Sequence, residues 1–397
     1  MKVTEMATTV VGTPWRELTF IELVTDDGRT GVAEARMANR TGTLLACIGE
    51  LGERYVVGRD PFDTEDLVTK IERDEYWRPG EVTATTLALF EVACFDLVGQ
   101  ALGEPVYRLL GGAVRQRVPA YANGWYQAER DPDEVALRAA AVVERGYRAL
   151  KLDPFGAARS GLSQTERRRS AAIVSAVRDA VGDDVAIMVE MHGRFSPVEA
   201  VRAAEALEPY EVEWVEEPTF PESAAALETV RQYTSIPIAT GERLHHLPEL
   251  REFLERGVVD IVQVDLTHAG GFLNMKRIAG WAGAYYRQLA PHNVCGPVGT
   301  MANLHFAACT PNVKVIEHFN DFADPWVAEL VDFPPRVDPD DGCFAVPERP
   351  GLGVKLNHDA CRRHPRTGGR LELFSLGWEK RGQPGPAEPG QHRPGGA

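Results

Sequence analysis

Between residues 118 and 316, eight short apolar runs recur at about the length of one strand–helix unit. This repeat constrains the fold more than any other feature of the chain. The runs are 118–122, 149–152, 185–189, 212–215, 236–239, 261–264, 288–290 and 313–316, and segments with helical periodicity lie between them, as at 132–145 and 197–207. Short strands alternating with helices form parallel sheets whose strands are covered on both faces. Eight units in about 200 residues predict a TIM-type (β/α)7β barrel in an α/β chain. A doubly wound sheet would open on a G-x-G-x-x-G turn after its first strand, and none is present.

The remainder divides around that repeat. Residues 1–115 read as an α+β unit, with a strand at 17–25, a turn at Asp26-Asp27-Gly28-Arg29-Thr30-Gly31 and a returning strand. Helical patterns follow at 42–55, 64–75 and 83–102. The barrel occupies 116–322, a Pro- and Asp-rich C-terminal segment runs over 323–380, and the Gly/Pro-rich tail at 381–397 is expected to be disordered. At 44% hydrophobic and 25% charged residues the chain has enough apolar material to fold. Its net charge of −15 argues against nucleic acid or an anionic membrane surface as partner. The N-terminus lacks a signal-peptide apolar stretch, no apolar run looks long enough to span a bilayer, and the six cysteines are scattered with no C-x-x-C pair. The expectation is a reduced, cytoplasmic protein.

Chemistry in such barrels gathers at the C-terminal ends of the strands. Three consecutive strands end in Glu190, Glu216 and Glu242, each 26 residues from the next. Three clustered carboxylates repel one another unless a cation lies among them, and an all-oxygen donor set favours Mg²⁺. Because strands alternate their faces, His192 is expected on the face of Glu190, as an acid or base beside the metal, and Lys151 on that of Asp153. Asp265 and His292 close the next two strands, and an aspartate bonded to one imidazole nitrogen makes the other a general base. Glu317 closes the last strand, where it is expected opposite the early strands, bonding a developing enolate if protonated. Glu166-Arg167-Arg168-Arg169 reads as a solvated helix face, His268-Ala269-Gly270-Gly271 as a turn into a helix, and His245 and His246 as loop residues near the mouth or the surface.

Together these motifs resemble the enolase superfamily, in its mandelate racemase/muconate lactonizing enzyme branch. The matching text is Lys151-Leu152-Asp153, Glu190-Met191-His192-Gly193-Arg194, Glu216-Glu217-Pro218, Gly241-Glu242-Arg243, Asp265 with His268-Ala269-Gly270-Gly271, Pro291-His292, and the late Pro350-Gly351-Leu352-Gly353. The resemblance covers the chain to about residue 380. It implies a capping domain built from the N-terminal region and the returning C-terminal segment, and Mg²⁺ on Glu190, Glu216 and Glu242. It also implies removal of the proton α to a substrate carboxylate, with a metal-stabilised enediolate, which is general to this superfamily. Racemases of the branch carry a second lysine where this chain has Asp153, so two-sided proton transfer is not expected. The pattern looks most like the galactonate and gluconate dehydratases. His292 then takes the C2 proton, His192 or His292 assists departure of the C3 hydroxyl, and a 2-keto-3-deoxy acid results. Lys151 is expected to neutralise the substrate carboxylate and Asp153 to orient it. Trp15 and the loop from Arg36 to Arg40 are expected to close over the sugar chain, and His318 to contact substrate. The implied partner is a small sugar acid, and the implied assembly a homo-oligomer. The alternatives are a cycloisomerase or an epimerase/racemase of the same superfamily, an aldose–ketose isomerase on another metal barrel, and a non-catalytic barrel.

Overall fold

The computed structural model describes residues 1–380 other than Pro14, Arg78 and Ala128. The expectation for the tail at 381–397 falls outside the described residues. The chain begins with an antiparallel sheet in the order β1 (Val3–Gly12), β2 (Glu17–Thr25) and β3 (Thr30–Ala35). The sequence reading missed β1. That strand is an edge, buried only near its ends, so nothing requires its residues to alternate. Of the helices α1 (Thr41–Tyr55), α2 (Thr64–Arg73) and α3 (Glu81–Leu102), α3 packs on this sheet and α1 and α2 pack against α3, and the short α4 (Val106–Leu109) leads away. Contrary to the sequence expectation, α3 is long and apolar enough to cross a membrane. Its apolar window is 89% buried within the protein, which makes it a core helix.

Eight parallel strands follow: β4 (Arg117–Ala122), β5 (Ala149–Leu152), β6 (Ala186–Glu190), β7 (Trp214–Glu216), β8 (Ile238–Thr240), β9 (Ile261–Val262), β10 (Gln288–Leu289) and β11 (Ile316–His318). Helices α5 (Pro132–Glu144), α6 (Gln164–Val181), α7 (Pro197–Glu205), α8 (Ala224–Arg231), α9 (Leu247–Glu255), α10 (Phe272–Ala284) and α11 (Pro297–Ala308) fill the seven intervals in turn. Consecutive strands pair from β4 to β10, and β11 pairs with β4. A parallel bridge from Leu289 to Val313 joins the two ends, with Leu289 N–H donating to Asn312 C=O at 2.8 Å. The sheet is therefore a closed (β/α)7β barrel.

Strand alternation builds the interior in layers. Tyr121, Met188, Trp214, Ala239, Ala290 and Val315 form a buried apolar plug, with the Tyr121 and Trp214 rings edge to face at 5.7 Å. Two residues further along the strands the interior turns polar, with Asn123, Glu190, Glu216, His292 and Glu317. This polar layer is the floor of the barrel mouth.

Beyond β11 the chain pairs β12 (Cys343–Ala345) against the start of β4 and returns to the N-terminal unit through bridges from Gly351 to Pro105 and from Pro365 to Val11, beyond α12 (His358–Arg363). Arg366 pairs with Glu17 at 3.0 Å. The chain then crosses to the barrel mouth, where the Trp378 indole N–H donates to Gly156 C=O at 3.0 Å.

Candidate active site

Glu190 and Glu216 sit side by side because their strands pair them in register. Glu242 is not on a strand. The register partner of Glu216 on β8 is Ala239, and Gly241, at φ +141°, turns the chain so that Glu242 rises to the other two. A Cβ at Gly241 would lie 2.9 Å from Val264 N, so this turn excludes other side chains. The three carboxylates bring one oxygen each within 4.8 Å of one another. Burial and the charges of Glu216 and Glu242 push Glu190 well above the usual carboxylate range. Glu216 is 0% exposed; its burial acts upward, but Lys151 together with hydrogen bonds from Glu190 and Gln263 outweighs it and holds the group down at about 2. Three buried or half-buried carboxylates that cannot all ionise comfortably, offering only hard oxygens, fit a Mg²⁺-sized cation.

Lys151 Nζ lies 2.6 Å from Glu216, 3.1 Å from Glu317 and 3.4 Å from Glu190. Burial lowers its pKa, but these carboxylates raise it further, so the ammonium stays charged. Glu317 stands beside Lys151, not across the mouth as the sequence reading expected. Closure of the barrel sets β11 against β4, one strand from β5. The Asn123 amide donates to Glu317 at 2.5 Å and the Asn293 backbone N–H at 2.8 Å.

Two imidazoles face each other across the mouth. β6 and β10 are four strands apart in either direction around the barrel. His292 bonds Asp265 through Nδ1 at 2.7 Å, and its Nε2 lies 3.4 Å from Glu242. Burial lowers the His292 pKa, but Glu242, the Asp265 bond and Glu317 raise it to about 10. Burial likewise acts upward on Asp265, and His268, His292 and Thr267 outweigh it, leaving about 2. On the other side His192 bonds Asp153 through Nδ1 at 2.6 Å. Burial lowers the His192 pKa, partly offset by Asp153. His192 has φ +48°, a left-handed conformation held by its N–H donating to Glu190 at 2.6 Å.

A cavity of about 530 Å³ opens above this floor, lined by Lys151, Glu190, His192, Glu242 and His292 below and by Trp15, Arg36 and Arg40 from the N-terminal unit. Arg40 is an exposed rim residue paired with Glu81. Two expected substrate contacts lie elsewhere. Asp153 follows the end of β5 and turns behind His192, where it accepts from His192, Phe155 N–H and Arg194. His318 is the neighbour of inward-facing Glu317, so it points out through the barrel wall, packs edge-on against Phe344 and pairs with Asp321 at 3.2 Å.

The sequence reading also passed over residues that serve the site. Gln263 donates to Glu216 at 2.6 Å. It lies two positions before Asp265, as Asn123 lies two after Tyr121, so the alternation rule reaches both. Glu217 and Arg243, each next to a proposed ligand, form an ion pair in which Glu217 is buried and the partly exposed Arg243 also lines the cavity. Leu371 and Leu373 also line the cavity, as do His245, which the sequence reading set near the mouth or the surface, and His268, which it read as part of a turn.

Two family descriptions match. Residues 134–360 fit the enolase C-terminal domain-like family, and residues 2–111 fit the N-terminal domain of mandelate racemase and muconate lactonizing enzyme. The chain belongs to the mandelate racemase/muconate lactonizing enzyme family. Among relatives within it, the chain is 36% identical over 346 residues to a D-gluconate dehydratase of Thermoproteus tenax, covering 87% of this chain and 69% of the relative. It is 33% identical to a D-gluconate/D-galactonate dehydratase of Picrophilus torridus, over 86% and 87% of the two chains. A crystal structure from Labrenzia alexandrii, described as a mandelate racemase/muconate lactonizing enzyme, superposes with a TM-score of 0.88 at 36% identity, over 94% and 98% of the two chains.

Proposed function

We propose that this family member is a Mg²⁺-dependent hydro-lyase that dehydrates an aldonate of the galactonate or gluconate kind to a 2-keto-3-deoxy acid. The observation that carries the reading is the pair of aspartate-bonded imidazoles facing each other across a carboxylate cluster. The names of the relatives support the same class.

Glu190, Glu216 and Glu242 would hold the cation. Bound there, Mg²⁺ supplies Lewis-acid polarisation of the substrate carboxylate, which makes the adjacent C–H more acidic. Lys151 adds a fixed positive charge on the same side. His292 takes the C2 proton on Nε2, because Asp265 occupies Nδ1 and fixes the tautomer. The C–H electron pair moves into the carboxylate, giving an enediolate. The C3–O bond then breaks as an imidazolium donates a proton to the leaving hydroxyl, and water departs. We assign that donor role to His192, where Asp153 on Nδ1 favours the charged form and partly offsets the burial that lowers its pKa. The enol product tautomerises to the keto acid. Asp153, where racemases of the branch carry a second lysine, is engaged with His192 and Arg194, which favours one-sided chemistry over racemisation.

The test is a panel of aldonates incubated with and without Mg²⁺, read by mass and by a 2-keto-3-deoxy acid assay. Loss of one water, dependent on the metal, is expected. A product of unchanged mass would instead mark a cycloisomerase or an epimerase.

A further inference from the structure

Barrel helices α5, α6, α7 and α8 are capped at their N-termini by their own residues, Asp131, Ser163, Ser196 and Ser223. Helices α10 and α11 are not. Each begins after a glycine, Gly271 and Gly296, with no side-chain cap from that position. These are the two helices that follow Asp265 and His292. Their open N–H groups are closed from outside the barrel. Glu34 on β3, 3% exposed, accepts from Gly296, from Val298 at 2.9 Å and from Gly299 at 3.0 Å. Arg16 donates to Val294 C=O at 2.9 Å, gripping the same segment two residues after His292. Glu91 on α3, fully buried, accepts from Phe272 and Leu273 N–H at 2.9 Å each. Thr85 on the same helix bonds His268 Nδ1 at 2.8 Å, three residues after Asp265. A Cβ at Gly296 would stand 2.6 Å from a Glu34 oxygen, so the glycine and the carboxylate require each other.

We propose that Glu34 is a positioning residue for proton abstraction: as a cap donated to α11 by the N-terminal unit, it fixes His292 against Asp265, whose own loop Glu91 holds in the same way. Docking of the N-terminal unit and assembly of the base are then one event. A carboxylate accepts from several N–H groups at once and is favoured at the positive end of a helix. An amide of the same size would turn an NH₂ toward N–H donors. The segment would shift, and displacements near 1 Å at a reacting group lower rates by up to about a hundredfold.

This inference rests on the reading of His292 as the base. The experiment compares wild type, Glu34→Gln and Glu34→Asp at matched thermal stability. For Glu34→Gln we expect kcat for C2–H exchange to fall roughly tenfold to a hundredfold with KM and Mg²⁺ affinity little changed. The isotope effect with C2-deuterated substrate should grow, and the low-field Nδ1–H proton resonance, assigned by its loss in His292→Asn, should move or broaden. Glu34→Asp should recover part of each change. A Glu34→Gln enzyme with the wild-type rate, isotope effect and resonance overturns the proposal. If Glu34→Gln does not fold, Glu34→Asp with wild-type values for all three does so. Should wild type exchange no aldonate proton, the base assignment itself fails, and the resonance still reports whether Glu34 sets the Asp265–His292 pair.

Discussion

His192 Nδ1 lies 2.6 Å from Asp153 Oδ2, and this pair repeats, on the opposite wall of the barrel, the 2.7 Å bond between His292 and Asp265. The two imidazoles are orientated alike but stand in different fields. His292 faces Glu242 and Glu317, which raise its basicity. His192 faces Arg194 and is more deeply desolvated than its partner can offset. The two groups are pushed to titrate apart, and a cation on Glu242 would bring His292 down toward the deprotonated form that a base needs.

Replacing His292 with Asn should abolish exchange of the substrate C2 proton in deuterated water, by about 10²- to 10⁴-fold. Mg²⁺ binding, measured by calorimetry, should be retained. Full turnover in this variant would remove His292 from the base role.

Asp153→Asn separates the two proton transfers. Losing the carboxylate leaves His192 without the partner that stabilises its imidazolium, so dehydration should fall by about a hundredfold while C2–H exchange continues. If dehydration is unaffected, His292 must return the proton it took and serve as both base and acid.

Glu216 ends the strand between β6, which carries Glu190, and β8, which leads into the turn that carries Glu242, and it is wholly buried. Glu216→Gln should weaken Mg²⁺ by at least about a hundredfold. In wild type, Mg²⁺ at a hundred times its dissociation constant should add about 2.7 kcal/mol to stability. Thermal melts with and without the ion should lose that increment in the variant.

The pH–rate profile follows from the sign of the His292 shift. A base acts in its deprotonated form, so kcat/KM rises with pH through its pKa. Without metal that pKa is near 10, and Glu242 is the largest contributor that raises it. A cation on Glu242 offsets that charge, so the rising limb of the loaded enzyme should fall below 10. Asp265→Asn removes a further raising contribution and should move the limb down again by about one unit, at reduced kcat. A limb that stays in place in Asp265→Asn would exclude His292 as the titrating group.

Gly241→Ala should be costly because φ +141° and the nearby Val264 N leave no room for a Cβ. The expected loss is about 1–3 kcal/mol from backbone strain. Since this turn carries Glu242, Mg²⁺ affinity should fall together with melting temperature. An alanine enzyme with wild-type metal affinity would mean that Glu242 does not depend on the turn.

The sequence alone determined the barrel and its polar floor. Alternation along a strand is a local rule, so Glu190, Glu216, Asp265, His292 and Glu317 could be read off strand ends without knowing which strands touch. The tertiary structure decided what those residues meet. Closure of the sheet put Glu317 beside Lys151. A glycine turn lifted Glu242 to the other carboxylates, and a loop sent Asp153 behind His192. The caps on α10 and α11 came from residues 181 and more than 260 positions away in the chain. Such pairings depend on where distant segments dock, and no periodicity in one dimension encodes that.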